Sequence, residues 1–102
     1  MTKSPKIQIL SFPGCPNTTA TRAILREALK NLKMDGLDIE EINIEDPATP
    51  EKFHNWPSPS ILVNGQDVEG TPIKEAAACR IYPGGRTPRL EKIETALAAA
   101  LL

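Results

Sequence analysis

The hydrophobic residues of the chain form short runs and helical stripes, and these predict where the secondary structure lies. Residues 7–12 are a short apolar run, typical of a strand buried on both faces in the middle of a sheet. After a Pro-Gly break, apolar side chains recur at helical spacing over about residues 16–34. Pro16 suits the first turn of this helix, and Gly36 suits its end because glycine tolerates positive φ. The helical stripe consists of Ala20, Ile24, Leu25, Ala28, Leu29 and Leu32.

A second strand is predicted over residues 37–44, but its alternation shifts in the middle. Leu37 and Ile39 are out of phase with Ile42 and Ile44. Successive side chains of a strand point to opposite faces of the sheet. The shift therefore indicates that regular pairing starts near residue 40 or that a bulge lies there.

Turn and capping signals place the remaining elements. Asn64-Gly65 lies between two strand-like runs, which predicts a hairpin with strands over residues 59–63 and 66–69. Thr-Pro pairs start at residues 49, 71 and 87, and threonine as N-cap with proline in the first turn is a helix start signal. These pairs predict a short helix over residues 50–55, a helical segment after residue 72, and a final helix over residues 88–102. The final helix has an apolar face of Leu90, Ile93, Leu97 and Leu101.

The order of these elements predicts an α/β fold. A strand–helix–strand unit places two strands parallel through a right-handed crossover, and the hairpin adds an antiparallel pair. We therefore expect a mixed four-stranded sheet in the order β-α-β-α-β-β-α, with helices on both faces. A chain of 102 residues is long enough for one modest core, so residues 1–102 are expected to form a single domain.

Charge and composition limit the classes of partner. The formal net charge of -1 gives no basic field for nucleic acid, and no apolar run approaches the roughly 20 residues that span a bilayer. The first residues lack the apolar centre of a signal peptide. Two cysteines are also too few for a disulfide-stapled secreted scaffold. We expect a cytoplasmic monomer that binds neither nucleic acid nor membranes.

Cys15 is the strongest candidate for a reactive side chain. It lies at the predicted junction of the first strand and the first helix, where unpaired N–H groups and the helix dipole favour negative charge. At such a position the pKa of a cysteine can fall from about 8.5 to about 3.5–7.5. We therefore predict that Cys15 is a nucleophile or a soft-metal ligand. The alternative is a small buried side chain, since cysteine is among the most buried residue types.

A cysteine at the first strand–helix junction, with Ser58-Pro59-Ser60 leading much later into a hairpin, resembles the thioredoxin-like superfamily, glutaredoxins included. The resemblance covers nearly all of the chain. It implies that the peptide bond before Pro59 is cis and that this proline lies against the reactive sulfur. It also implies that Pro16, Ser58 and Ser60 belong to the substrate site. Ser60 and Ile61 would then offer an exposed backbone edge to a peptide or to glutathione.

A narrower resemblance is to a group of small bacterial thioredoxin-like proteins, some of which are named for an association with alkylmercury lyase. Four segments carry it: FPGCPN at residues 12–17, SPS at 58–60, VNGQDV at 63–68 and CRIY at 79–82.

One position departs from the family pattern. Thioredoxins carry Cys-x-x-Cys, whereas Thr18 occupies the place of the second cysteine. We expect the Thr18 hydroxyl to hydrogen-bond the Cys15 thiolate and help to hold it charged. The alternative is a plain hydroxyl at a helix start. Cys79 is the candidate for the missing resolving thiol, and an alanine-like core residue is its alternative.

These observations predict a thiol–disulfide exchange protein with Cys15, Thr18 and Cys79 as its catalytic residues. It would need no resident cofactor, and its partner would be a protein disulfide or glutathione as co-substrate. A second interpretation is a carrier in which the Cys15 and Cys79 thiolates hold Hg(II) or Cu(I). A third is an adaptor that has the fold without the chemistry. Arsenate-reductase-like proteins share the fold and a Cys-x-x-Ser/Thr start, which leaves that activity open as well.

Overall fold

The centre of the fold is a mixed sheet of four strands: β1 (Ile7–Ser11), β2 (Ile39–Asn43), β3 (Ser60–Val63) and β4 (Gln66–Asp67). They come from a computed structural model, which describes residues 4–54, 56–70 and 87–100. The strand order is β2-β1-β3-β4; β1 pairs parallel with β2 and antiparallel with β3, and β3 pairs antiparallel with β4. The predicted mixed four-stranded sheet is confirmed.

Among the described residues, α-helices lie on one face of this sheet and a 3₁₀ turn lies on the other. The helices α1 (Thr18–Asn31) and α2 (Leu90–Ala100) pack on the face that carries Ile7 and Ile9 of β1. The 3₁₀ turn, Glu51–Phe53, lies on the opposite face, where Leu10 of β1 packs with a second apolar cluster. A strand with apolar side chains on both faces belongs in the interior of a sheet, which explains the continuous apolar run of β1. The second cluster consists of Leu10, Ile44, Phe53, Trp56 and Leu62.

The two buried faces also explain the shifted alternation in β2. Leu37 and Ile39 pack against the cluster beneath the α-helices, whereas Ile42 and Ile44 pack against the cluster on the opposite face. β2 keeps an uninterrupted register with β1, from Ile7 opposite Ile39 to Ser11 opposite Asn43. The bulge is therefore wrong, whereas the alternative, a regular strand that starts near residue 40, is confirmed. The strand starts at Ile39 and contributes apolar side chains to two cores.

The predicted helix over residues 16–34 is shorter at both ends. α1 begins at Thr18, because Pro16 belongs to the turn that precedes it. It ends in a motif centred on Lys33, which has a positive φ of 58°. Lys33 N–H donates to the Lys30 carbonyl at 3.1 Å, and Met34 N–H donates to the Leu29 carbonyl at 2.7 Å. This is the Schellman pattern, with lysine in the place that glycine usually takes.

The Thr-Pro pairs mark helix starts only approximately. The Thr49 hydroxyl donates to the Asn43 carbonyl at 2.6 Å, and the 3₁₀ turn that follows has no side-chain cap. α2 begins at Leu90, two residues beyond Pro88, so Thr87 is not its N-cap. The segment predicted after residue 72 lies outside the described residues.

The hairpin prediction is confirmed at its turn. Asn64 and Gly65 have positive φ values of 51° and 84°, as a two-residue primed turn requires. β4 ends at Asp67, earlier than predicted, because the Asp67 carboxylate accepts a hydrogen bond from Glu69 N–H at 2.8 Å and forms a new turn. Within the described ranges, neither α-helix has the length and apolar character that crossing a membrane requires.

Candidate functional site

Cys15 lies in the turn between β1 and α1. Its N–H donates to the Phe12 carbonyl at 3.2 Å, and its own carbonyl accepts from Thr18 N–H at 3.3 Å. Gly14 precedes it with a φ of +81°, and a Cβ built there would meet nothing within 4 Å, so conformation rather than space favours glycine. The chain thus makes two consecutive turns around Cys15 and enters the helix at Thr18.

The Cys15 residue is only 7 % exposed. Its neighbours in the turn, Pro13, Gly14 and Pro16, are all exposed. The Cys15 side chain is therefore mostly covered, although the turn in which it lies is at the surface of the protein. A substrate must approach through the small accessible part of this side chain or through a local opening of the turn.

The Ser58-Pro59-Ser60 segment is joined to the Cys15 turn through one residue. Phe12 N–H donates to the Ser58 hydroxyl at 3.3 Å, while the Phe12 carbonyl accepts from Cys15 N–H. The peptide bond between Ser58 and Pro59 is cis. Phe12 therefore lies between the two segments that the sequence assigned to one site, and its backbone binds both.

The side chains of Ser58 and Ser60 have structural partners. Both residues are 0 % exposed; the Ser60 hydroxyl donates to the Pro57 carbonyl at 2.8 Å, and Ser58 accepts from Phe12. The expected exposed backbone edge is wrong at Ile61. That residue pairs with Ile9 of β1, and its carbonyl accepts from Val68 N–H at 3.1 Å. Substrate contacts by Pro16, Ser58, Pro59 and Ser60 stay predictions.

Thr18 is close to Cys15 along the backbone, but its hydroxyl does not make the predicted bond. Thr18 Oγ1 is buried and has no hydrogen-bond partner within the described part of the chain. Asn17, the N-cap of α1, likewise makes no side-chain cap bond, and its Nδ2 is buried without a partner there. The prediction of a Thr18–Cys15 hydrogen bond is therefore wrong for this conformation.

An ion pair between Arg22 and Glu41 connects α1 to β2. Arg22 Nε and Nη2 donate to the two carboxylate oxygens of Glu41, each at 2.6 Å. The hydrogen bond from Arg22 lowers the pKa of Glu41, and the same bond raises the pKa of Arg22. This pair holds one turn of α1, just after the Cys15 turn, to the strand beside β1.

Cys79 lies outside the described residues, and so do its predicted roles as resolving thiol and second metal ligand. In the described ranges, no group of three or more His, Cys, Asp or Glu side chains is placed to hold a metal ion. The two-thiolate carrier needs only Cys15 and Cys79, so it stays a prediction.

Sequence reasoning did not find the bridging role of Phe12. Its backbone, and not its side chain, makes both bonds, so residue type carried no signal for it. The Ser-Pro-Ser pattern did single out Ser58, but it predicted a contact with substrate. In the structure the Ser58 hydroxyl instead accepts a hydrogen bond from Phe12 N–H.

Comparison with known proteins shows the family to which the chain belongs. The chain is 34 % identical over 74 residues to a thioredoxin from Methanocaldococcus jannaschii, and the match covers 70 % of this chain and 85 % of the relative. No family model matches the chain, and no solved structure matches it significantly. The match to this relative shows that the chain belongs to the thioredoxin-like superfamily, and the mixed four-stranded sheet is consistent with that assignment.

Proposed function

We propose that this protein catalyses thiol–disulfide exchange on protein disulfides, with Cys15 as the nucleophile. Kinship with a thioredoxin supports the reaction class. The observation that carries the proposal is the position of Cys15 in the turn that enters α1, with Thr18 N–H bonded to its carbonyl. The first turn of α1 has no acidic residue, so no carboxylate there opposes the partial positive charge of the helix end. A thiolate is favoured at such a place.

In the proposed reaction, the Cys15 thiolate attacks one sulfur of the substrate disulfide. A bond forms between Cys15 Sγ and that sulfur, the substrate S–S bond breaks, and the other substrate sulfur leaves as a thiolate that takes a proton from water. A second thiol then attacks Cys15 Sγ and releases the first substrate sulfur as a thiol. The substrate disulfide gains two electrons, and the two attacking thiols lose them.

The identity of the second thiol is a separate part of the proposal. Because Thr18 replaces the usual second cysteine, we assign this role to Cys79, with glutathione as the alternative co-substrate. In the first case the product is a Cys15–Cys79 disulfide that an external thiol must reduce. In the second case it is a mixed disulfide between Cys15 and glutathione, and a second glutathione must attack its glutathione sulfur to release the Cys15 thiolate and oxidised glutathione. Both routes need the reducing thiol pool of the cytoplasm, where we place the protein as a monomer.

The first experiment measures the pH dependence of alkylation of the reduced full-length protein, followed at each cysteine by mass. We expect Cys15 to react with iodoacetamide well below pH 8.5, the ordinary pKa of a cysteine thiol, as a stabilised thiolate does. Rapid labelling by this small reagent but slow labelling by a bulky maleimide is expected because the residue is only 7 % exposed. Slow labelling at every pH below about 8.5 would contradict a nucleophilic Cys15 and favour a redox-inactive adaptor.

Cysteine variants then separate the possible mechanisms. Cys15→Ser should abolish reduction of a protein disulfide substrate. Cys79→Ser should trap the mixed disulfide at Cys15 if Cys79 resolves it, and should leave turnover with glutathione unchanged if glutathione does. The same variants test the second interpretation, a carrier in which the Cys15 and Cys79 thiolates hold a soft metal ion. Stoichiometric Hg(II) binding that is lost in both variants, together with no disulfide reductase activity in the parent, would replace the proposed function by metal transfer.

A further inference from the structure

A cleft lies on the sheet face opposite the α-helices, at the end of β1 that is distant from Cys15. It has a volume of about 530 Å³. Its floor comes from side chains of β1 and β3, and its walls come from the 3₁₀ turn, the residues that follow it and the hairpin turn. We call it the lysine cleft; its main lining residues are Lys6, Gln8, Lys52, Phe53, Trp56 and Leu62.

The lining combines positive charge with aromatic rings. Lys6 and Lys52 both line the cleft, and no carboxylate is among the described residues that do. Lys52 Nζ lies 5.0 Å from the centre of the Phe53 ring, so an ammonium group and an aromatic wall are adjacent. The chain as a whole has a net charge of -1, so the two lysine charges of this lining do not reflect the overall composition. Glu40 does not line the cleft, but its carboxylate accepts from the Gln8 amide at the floor.

Hydrogen bonds fix the walls of the cleft. Lys6 N–H donates to the Asn64 side-chain oxygen at 2.8 Å, and Asn64 N–H donates back to the Lys6 carbonyl at 2.8 Å. The Trp56 indole N–H donates to the Lys52 carbonyl at 3.1 Å, which ties the aromatic wall to the residue that carries the cation. At the floor, the Gln8 amide donates to Glu40 at 2.8 Å. The lining is therefore largely pre-formed, as ligand sites usually are.

We propose that the lysine cleft binds a small aromatic anion, a planar ring that carries a phosphate or a carboxylate. The cleft volume falls within the range of about 300–1,000 Å³ that small-molecule sites occupy. The lysines supply charge-assisted donors for the anion. Phe53 and Trp56 are each 9 % exposed, and the small parts of them that line the cleft supply an apolar contact for the ring. Lys6 precedes β1 and Cys15 follows it, so the ligand binds at the opposite end of the strand from the thiol. This inference does not depend on the proposed function.

Trp56 makes the test direct, because it is the single tryptophan of the sequence and it lines the cleft. Its fluorescence is followed while the full-length protein is titrated with adenosine monophosphate, and separately with adenosine and with inorganic phosphate. We expect saturable binding of the monophosphate, weaker binding of adenosine and of phosphate, and loss of affinity at high salt. Phenyl phosphate and benzoate, compared in the same assay, distinguish a phosphate from a carboxylate ligand.

Matched variants decide whether the cleft is responsible. Lys52→Gln should weaken binding of the monophosphate by about tenfold, the effect of losing one charge-assisted hydrogen bond. Lys30→Gln removes the same charge from an exposed position of α1, on the other side of the sheet, and should leave the affinity unchanged. Cys15→Ser should also leave it unchanged. The proposal would be overturned if adenosine or inorganic phosphate bound as tightly as adenosine monophosphate. It would also be overturned if Lys30→Gln weakened binding as much as Lys52→Gln does, or if none of the probes bound.

Discussion

The Ser58 hydroxyl accepts a hydrogen bond from Phe12 N–H at 3.3 Å, across 46 positions of the chain. Ser58 is 0 % exposed, so water does not replace this acceptor when it is removed. The next turn depends on the same residue, because the Phe12 carbonyl accepts from Cys15 N–H. The bond is thus a direct link between the Ser58-Pro59 segment and the turn that carries the thiol.

Replacing Ser58 by alanine should therefore destabilise the fold and loosen the Cys15 turn. A fully buried N–H left without its acceptor costs about 1–3 kcal/mol. The Phe12 N–H is part-buried, so we expect the free energy of unfolding in urea to fall by about 1 kcal/mol, the lower end of that range. Alkylation of Cys15 at fixed pH should become faster, because opening of the turn exposes a thiol that is covered in the native state. Ser4→Ala, at an exposed position, is the control. Equal effects of the two substitutions would show that the bond contributes nothing.

The parts of the fold that followed from sequence are those fixed by local chemistry or by strict periodicity. Asn64-Gly65 specified its turn because both residues tolerate positive φ, and the apolar run of β1 specified an interior strand. The phase of β2 could not be interpreted locally, because its apolar residues serve cores on two faces of the sheet. The pattern can be interpreted only when the packing on both faces of the sheet is known.

The end of α1 shows the same limit. Gly36 was the better residue for a left-handed position, yet Lys33 occupies that conformation. Ending the helix there places Met34, which is 8 % exposed, in the core with Leu29. The stabilisation from burying a methionine, about 1.5–3 kcal/mol, is large enough to offset the cost of about 1–2 kcal/mol for a non-glycine residue with positive φ. Burial of Met34 therefore decides where the helix ends, although lysine is unfavourable in the left-handed conformation at residue 33.

Within the candidate site, the sequence pattern predicted the position of Cys15 but not the orientation of the side chains around it. Its place between a strand and a helix follows from periodicity and from Pro13-Gly14. Whether the Thr18 hydroxyl points at the sulfur depends on a side-chain rotamer, and Ser58 is turned toward Phe12 by a contact between distant segments. Both depend on tertiary packing, which has no local signature.

A second link between distant segments joins Glu69, just after β4, to Arg89 at the start of α2. The Glu69 carboxylate accepts from Arg89 N–H at 2.8 Å and from its guanidinium at 3.0 and 3.3 Å. The Glu69 side chain is 4 % exposed. Burial alone would raise the pKa of Glu69, but the hydrogen bonds and charge of Arg89, with a contribution from Lys92, lower it overall.

This pair should make stability depend on pH in the acid range. Because the folded pKa of Glu69 lies below its ordinary value of 4.5, its contribution is complete above that pH and is lost as the pH falls through the folded pKa. We expect Glu69→Gln to lower the free energy of unfolding by about 1.5–3 kcal/mol at pH 7, with the gap to the parent closing in acid. Urea denaturation of both proteins across this range measures the gap.

Glu91→Gln is the matched control for that substitution. Its carboxylate lies 3.9 Å from the same Arg89, but its side chain is 75 % exposed. An exposed pair of this kind is worth about 0–1 kcal/mol. A Glu69→Gln effect as small as the Glu91→Gln effect, or a gap that does not depend on pH, would contradict a stabilising buried carboxylate.

The bidentate Arg22–Glu41 pair has shorter bonds than the Glu69–Arg89 pair but should contribute less to stability. Its side chains are 32 % and 42 % exposed, so water competes for both partners. A double-mutant cycle with Arg22→Gln and Glu41→Gln should give a coupling free energy of about 0.2–1 kcal/mol in low salt. The coupling should diminish in high salt, because screening acts on exposed charges. A larger, salt-independent value would mean that the pair is shielded from solvent.

The left-handed end of α1 predicts opposite effects of one substitution at two nearby lysines. At Lys33, with φ of 58°, glycine removes a conformational cost of about 1–2 kcal/mol from the folded state. Glycine also raises the entropy of the unfolded chain, which stabilises the unfolded state by about 0.4–1 kcal/mol. Lys33→Gly should therefore stabilise the protein by about 0.5–1 kcal/mol. Lys30→Gly, inside the last turn of the helix, should destabilise it by about 1 kcal/mol. Urea denaturation of the two variants gives both signs. Destabilisation by Lys33→Gly would mean that the lysine side chain contributes more at this site than its backbone conformation costs.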